Sequence, residues 1–478
     1  MPKSKHFRDS VHGYISIPDA YCDYFIDTPI FQRIHEIDQT GMRVLFPCAR
    51  HDRFSHSLGV YYLGRKAFYN FMINSKPAFT SIKNDLWLTY ENSFLIACLL
   101  HDCAHSPFSH IFEWYYDYKC DSDQPSKLNE LLINAIDDKD FRKDYIAREK
   151  RNLSPSPHEK ASAYVAFSHY KEGINKCHAN PYLIVRMILG CLHFAPENDE
   201  KRLENCLIEL LNGSAIDVDK LDYILRDTWS SGVNNIMIDI DRLLFSLTVR
   251  SRDKKLSFKK QALNSIRSVI DGRNYLYKWI YGHHKIIYNQ YLLEESLRKL
   301  AEIVCPDDSS TFLRALFSIE SFEREIELSE KWKIYLPNDH DIIFLLKQYY
   351  KEIPEAEEYL FRCKHKVALW KTFEEFRYHF EDIGEEHRPE IYFVAEERLN
   401  KKWPQEVYTK RFVLCEVQPK LAGIKEGEIL VQLDEEEFVP YTRLFGEYRT
   451  EKRYYFYLYV PKELLKYKGE IIGELKKI

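Results

Sequence analysis

The chain has 478 residues, 45% of them hydrophobic and 29% charged, with a formal net charge of −5. That balance belongs to a globular chain long enough for two or three domains, and it excludes the global positive field of a protein that holds long nucleic acid by charge. The 11 cysteines include no CxxC pair, the amino-terminal residues are polar, and no long apolar run occurs; reduced thiols, a cytoplasmic setting and no transmembrane helix are expected.

In chain order, the alternation at Tyr14–Ile17 predicts a short strand or hairpin arm. Asp27-Thr28-Pro29 predicts a helix start, with proline where its missing N–H costs least, and Gly41 predicts the stop. His56 opens an amphipathic pattern carrying Leu58, Tyr62 and Phe68. An apolar run, Phe94 to Leu100, then feeds into His101-Asp102. An imidazole beside a carboxylate at the end of a buried helix is costly unless paired, and a divalent cation pairs both. His105 is expected one helical turn beyond His101, Pro107 limits further helix, and His110 follows. Lone His-Asp pairs are more often polar helix ends, and His51-Asp52 and His340-Asp341 are read so.

Residues 119–154 are polar and expected to include a mobile loop; His158 and Glu159 then begin a helix, where an acid complements the dipole. Asp219, Tyr223 and Asp227 form one stripe beside Lys220, opposite Leu221, Ile224 and Leu225. Such a stripe is either a solvated face or a ligand-facing one. A strand pair, LLFSLTVRS and KLSF, precedes one long helix in which Arg273, Tyr277 and Tyr281 repeat before His283, His284 and Lys285; cations at both ends of an aromatic stripe fit an anionic, ring-bearing ligand. Beyond residue 300, IIFLLKQYYKEI and ALWKTFEEFRYHF read as helices, 382–390 as a linker, and EIYFVAE, KRFVLCEV, EILVQL and RYYFYLYV as strands. The expected fold is mainly α: a helical core with short strands over 1–300, a helical extension over 301–385, and a smaller α+β lobe over 386–478.

The ordered set His56, His101-Asp102, His158-Glu159 and Asp219 resembles the HD-domain metallo-phosphohydrolases. FRDSVHGYISI, IDTPIFQRI, RFSHSLGVYYLG, HDCAHSPFSH, HEKAS, IDVDKLDYILRD and RNYLYKWIYGHH are similar, in order, to segments of the dNTP triphosphohydrolase branch that includes the mammalian SAM-and-HD-domain antiviral enzymes. The resemblance spans roughly the first 300 residues and does not extend to a SAM domain. It implies His56, His101, Asp102 and Asp219 as ligands of a divalent Fe, Mn, Mg or Zn ion. It implies His110 as the acid that protonates the leaving 5′-oxygen, Glu113 as its carboxylate partner, and His105 and His158 along the phosphates. Arg53, Lys220 and Arg273 match phosphate-binding positions, Gln39 and Asp227 contacts to the 3′-OH, and Tyr223 and Tyr281 the rings against the sugar. Thr40 and Tyr277 depart from the pattern where 2′-OH exclusion and base preference are set.

Lys5, Asp27 and Gln32 match a regulatory nucleotide pocket between subunits, while His35, Arg8 and Tyr14 depart from it. The implied activity is hydrolysis of dNTPs to deoxynucleoside and inorganic triphosphate in a homo-oligomer, dimer or tetramer, with a nucleotide activator, in the setting of antiviral or antiphage dNTP depletion. The alternatives are an HD phosphodiesterase or nuclease on another nucleotide, and a nucleotide-gated sensor with weak catalysis.

Overall fold

A computed structural model describes residues 3–117, 127–151, 153–233, 236–329, 332–363, 365–403, 412–425, 427–446 and 454–477. The fold is mainly α, with small sheets. Among the described residues no helix is long and apolar enough to cross a membrane.

The amino terminus is the expected hairpin: Ser4–Asp9 pairs antiparallel with Gly13–Pro18. Thr28 caps a helix that is shorter than expected, Pro29–Arg33, followed by a single 3-10 turn, Ile34–Glu36. It ends before Gly41 because Asp38 bridges to Asp52 and the Gln39 N–H donates to the His51 carbonyl at 3.0 Å. Extended pairing takes the backbone groups that helix would have used.

Three helices make the heart of the core. Arg53–Ser75, capped by Asp52 on Ser55 N–H at 2.7 Å, packs against Asn84–Leu100 and Val218–Ser231. From Ser93 to Leu100 every side chain of the second helix is buried, so its carboxyl end presents His101 from a rigid wall. The third helix reaches the first through a glycine. A Cβ at Gly59 would stand 1.9 Å from Asp222 Oδ1 and 2.4 Å from Arg226 Nη2.

Further stretches differ from expectation, among them the start of LLFSLTVRS, where 243–245 belong to the helix Ile240–Phe245 and only Leu247–Val249 is strand. Within 119–154, helices Lys127–Ala135 and Lys139–Glu149 form, while 118–126 lie outside the described residues. The long helix after residue 263 is broken: Leu263–Tyr275 runs into a π-turn, Leu276–Tyr281, and a new helix, His284–Val304, starts with His283 as its cap. In ALWKTFEEFRYHF only Phe373–His379 is helical, and Val367–Ala368 just before Leu369 is strand. EIYFVAE lies in a helix, Arg388–Lys402, that also takes the end of the expected linker. Its buried apolar residues are Ile391, Ala395 and Leu399, a spacing of four that suits helix and not strand.

The carboxyl-terminal region contributes to two cores. Val367–Ala368, Tyr455–Val460 and Val413–Val417 form an antiparallel sheet over Trp370, Phe376 and Leu399. Leu430–Gln432 instead joins the sheet of Leu247–Val249 and Leu256–Lys259, pairing parallel to the latter with Phe258 opposite Val431. Ile424, Val431 and Tyr441 are accordingly buried in the same core as Ile266 and Val269.

Gly59→Ala should destabilise the chain by on the order of 3 kcal/mol, because the methyl displaces a buried ion pair. Thermal denaturation checks this; an unchanged melting temperature would show that the two helices can separate freely.

Candidate metal centre and adjoining acid cluster

His56, on the first turn of its helix, and His101, just past the end of the next, aim ring nitrogens at each other: their Nε2 atoms are 3.3 Å apart. Both tautomers are fixed from behind. His101 Nδ1 lies 2.9 Å from the Cys98 carbonyl, which only accepts, so Nδ1 carries the proton. His56 Nδ1 lies 2.8 Å from the Asp222 carboxylate. Two lone pairs therefore face one point. Asp219 Oδ1 is 3.0 Å from His56 Nε2 and 3.7 Å from His101 Nε2, and Asp102 Oδ2 is 3.7 Å from both. His56, His101 and Asp102 cluster with Asp219 beside the two rings, and once Nε2 of each ring is deprotonated this set fits a divalent cation. Burial opposes charge on His56, yet Asp219 and Asp222 hold its pKa up to about 9, so an entering cation must displace a proton.

Behind these ligands lies a buried network that the sequence reading did not pick out. Asp222 accepts from His12 Nε2 at 2.6 Å and from Arg226 Nε at 2.8 Å, and Arg226 Nη1 donates to Asp9 at 2.8 Å. An acid and an arginine four residues apart on an otherwise apolar side were the available signal.

His105 does not extend the His101 face. The helix ends at Leu100 and residues 101–104 form turns, which carry His105 into a second group with His110, Glu113 and His158. The His105 ring stacks on His158 at 4.4 Å and meets His110 edge-on at 4.9 Å. Glu113 joins the other two: Oε1 is 3.2 Å from His110 Nδ1, and Oε2 is 2.5 Å from His158 Nδ1. Burial opposes ionisation of Glu113, but these two imidazoles hold its carboxyl far below the usual range. Burial and the nearby Arg53 guanidinium depress the pKa of His105, and both of its ring nitrogens are buried without a partner among the described residues. The His110 side chain is open to solvent beside Glu113. The Ser156–Glu159 capping box fixes the start of the helix that carries His158.

Arg53 joins the two groups. Nη1 donates to Asp102 at 2.5 Å, Nε to Ser109 Oγ at 3.0 Å and Nη2 to the Gln39 carbonyl at 3.3 Å, while Nη2 stands 3.5 Å from His110 Nε2. The remaining expected contacts extend the set. Arg273 Nε donates to the Tyr223 hydroxyl at 3.1 Å, and its guanidinium lies over the Tyr277 ring at 4.7 Å. Tyr281 donates its hydroxyl to Asp227, whose other oxygen meets His51 Nε2 at 2.6 Å. His51, read from sequence as an ordinary pair with Asp52, thus belongs here. Gln39 Oε1 and Thr40 Oγ1 are buried without partners among the described residues. Lys220 is turned back, donating to the Gly213 carbonyl at 2.9 Å and to Asp217 at 2.5 Å.

Elsewhere Lys5 pairs with Asp27, and Gln32 Nε2 donates to the Ile26 carbonyl at 2.9 Å. His35 stacks on Phe54 and lines a separate charged cleft of about 810 Å³ with Arg43, Asp339 and His340.

No protein-family model matches the chain. The Bacillus subtilis protein YwfO is 26% identical over 362 residues, 75% of this chain and 68% of that one. A Dictyostelium discoideum protein named deoxynucleoside triphosphate triphosphohydrolase SAMHD1 homolog is 27% identical over 283 residues, 59% of this chain and 46% of its own length. The chain is thus similar to proteins named as HD-domain proteins and as dNTP triphosphohydrolases. The crystal structure of a hypothetical protein from Aquifex aeolicus, 23% identical, superposes on 99% of this chain and 100% of its own chain with a TM-score of 0.62. The relatives and the buried His56, His101 and Asp102 cluster together support a divalent metal in this chain.

Asp222→Asn should weaken metal binding about 10–100-fold by releasing the His56 tautomer, as read by competition with a chelating dye. Metal uptake should also release a proton below about pH 9, with affinity rising as pH rises toward that value, because the His56 pKa is raised. Calorimetry in two buffers of different ionisation enthalpy measures this; equal heats would refute it.

Proposed function

We propose that this chain is a metal-dependent phosphohydrolase that converts dNTPs to deoxynucleoside and inorganic triphosphate by water attack at the α-phosphate. One observation carries the reading: an imidazole–carboxylate pair, His110–Glu113, adjoins the four converging ligands through a single guanidinium, Arg53. An acid beside a metal centre is what cleavage of a phosphate ester with a poor leaving group requires.

A divalent cation held by His56, His101, Asp102 and Asp219 would supply charge neutralisation at the phosphate and a more acidic water. The chain's own groups do the rest. His110 donates the proton to the departing 5′-oxygen, and Glu113 orients its ring through Nδ1. His158 holds the other oxygen of Glu113, so the carboxylate cannot rotate away. His105, kept neutral by burial, donates its unpaired ring N–H to phosphate oxygens. Arg53, Arg273 and Lys220 offset polyphosphate charge, Lys220 after leaving Asp217. Gln39 Oε1 and Asp227 receive the 3′-OH, and Tyr223 and Tyr281 pack against the sugar.

The same reading takes residues 1–300 as the catalytic unit, with 301–385 and 386–478 as a helical extension and an α+β lobe. It takes Lys5, Asp27 and Gln32 as contacts to an activating nucleotide in a homo-oligomer. The biological setting is dNTP depletion in antiviral or antiphage defence.

The test is a product assay with Mn²⁺ or Mg²⁺, each dNTP alone and in pairs, and rNTP controls. Deoxynucleoside plus intact triphosphate is expected, with turnover reduced about 10²–10⁴-fold in His110→Ala. Activity confined to mixtures would mark an activator. Release of orthophosphate or pyrophosphate would overturn α-phosphate attack and favour another HD phosphohydrolase reaction.

A further inference from the structure

The turn that delivers His110 is held in a costly shape. Phe108 (φ 57°, ψ 27°) and Ser109 (φ 57°) both adopt left-handed backbone, and neither is glycine. Side chains with a Cβ keep that conformation only where their surroundings over-determine it. The turn's own bonds are local: Ser109 N–H to the Ser106 carbonyl at 3.0 Å, and Ser106 Oγ to the Ser109 carbonyl at 2.7 Å. What fixes it from outside is Asp339.

Asp339 is buried, at 4% exposure, on the first turn of the Asp339–Tyr349 helix. Its Oδ1 accepts the Phe108 N–H at 2.6 Å and its Oδ2 the Asp38 N–H at 3.0 Å. The Asp38 carbonyl in turn accepts from Ser109 Oγ at 2.7 Å, the same hydroxyl that meets Arg53. One carboxylate thus pins both sides of the seam between the acid's turn and the strand-like segment leading to Gln39. Arg33 adds a second stitch, donating to the His105 carbonyl at 2.7 Å and the Pro337 carbonyl at 2.8 Å. Helix capping does not need Asp339. Asn338 is the cap, accepting from the N–H groups of His340 at 2.9 Å and Asp341 at 3.2 Å, and Asp341 completes the box on Asn338 N–H at 2.9 Å.

We propose that Asp339 is a positioning residue for the reaction: through the Phe108 N–H it holds the left-handed turn that aims His110 at the leaving oxygen. This rests on His110 being the acid of the proposed dNTP hydrolysis. Removing one acceptor lets the turn relax and misplaces His110, while the four candidate metal ligands, none of which bonds Asp339 among the described residues, keep their contacts.

The experiment compares Asp339→Asn with Asp341→Asn, which loosens the same helix start without touching Phe108. On a dNTP that the unmodified chain hydrolyses, Asp339→Asn should lower kcat at least about tenfold with KM within about twofold, and Asp341→Asn should leave kcat within about twofold. On bis(p-nitrophenyl) phosphate, whose phenolate leaves without a proton, Asp339→Asn should turn over like the unmodified chain. If Asp339→Asn does not fold, Asp339→Glu, which keeps the charge but displaces both oxygens, is read the same way. Unchanged kcat in the Asp339 variants, equal loss in Asp341→Asn, or equal loss on both substrates overturns the inference. His110→Ala on the same substrates separates the two failures. If it loses dNTP turnover but Asp339→Asn does not, only the positioning role falls. If His110→Ala is active, the acid assignment falls with it.

Discussion

Two imidazole lone pairs 3.3 Å apart repel each other unless positive charge lies between them. Much of the surrounding structure enforces that approach. Asp222 and the Cys98 carbonyl each fix a tautomer from behind, and the buried wall of Asn84–Leu100 prevents His101 from swinging away. Asp222 is itself tolerable in the core only because His12 and Arg226 neutralise it, and that trio can sit against the His56 helix only because residue 59 has no side chain. A charge-binding point is thus paid for by a chain of buried polar contacts that reaches the amino-terminal hairpin at Asp9.

The second half of the site follows a different logic. Around the cation point the side chains are mutually saturated; around His105, Gln39 and Thr40 they are not. Buried polar atoms left without partners cost free energy, and beside the candidate metal centre they are available to an incoming ligand. Arg53 stands on the border, with its guanidinium divided between the ligand Asp102, the turn at Ser109 and the approach to His110. Charge on one side is therefore felt on the other.

How much of this was legible in the sequence depends on how local the cause is. The predominance of helix was legible from apolar spacing, and the hairpin from alternation. The four ligand candidates stand in segments distinctive enough to be noticed; His56, His101 and Asp102 lie together, with Asp219 Oδ1 beside the two rings. The outer partners were not legible, because Asp222 and Arg226 look like ordinary members of an amphipathic helix until the helix is docked against Gly59. His105 was expected on the His101 face; only the turn after Leu100 shows that it belongs with His158. The Arg388–Lys402 helix was missed because its bulky aromatics masked a period of four, and the break at Gly282–His283 because a π-turn leaves no compositional mark.

The strand Leu430–Gln432 has a consequence for how the molecule comes into being. It lies between Phe438–Pro440 and Leu256–Lys259 in the sheet of the core, and a parallel neighbour cannot be supplied by a short turn. A chain emerging from the ribosome has all four candidate ligands long before it has this strand. Until the strand arrives, Leu256–Lys259 presents an unpaired edge open to foreign strands. Closing so long a loop is slow, because its entropy is lost before the contacts reward it. The last part of the chain therefore governs when the first part becomes a finished, aggregation-resistant core.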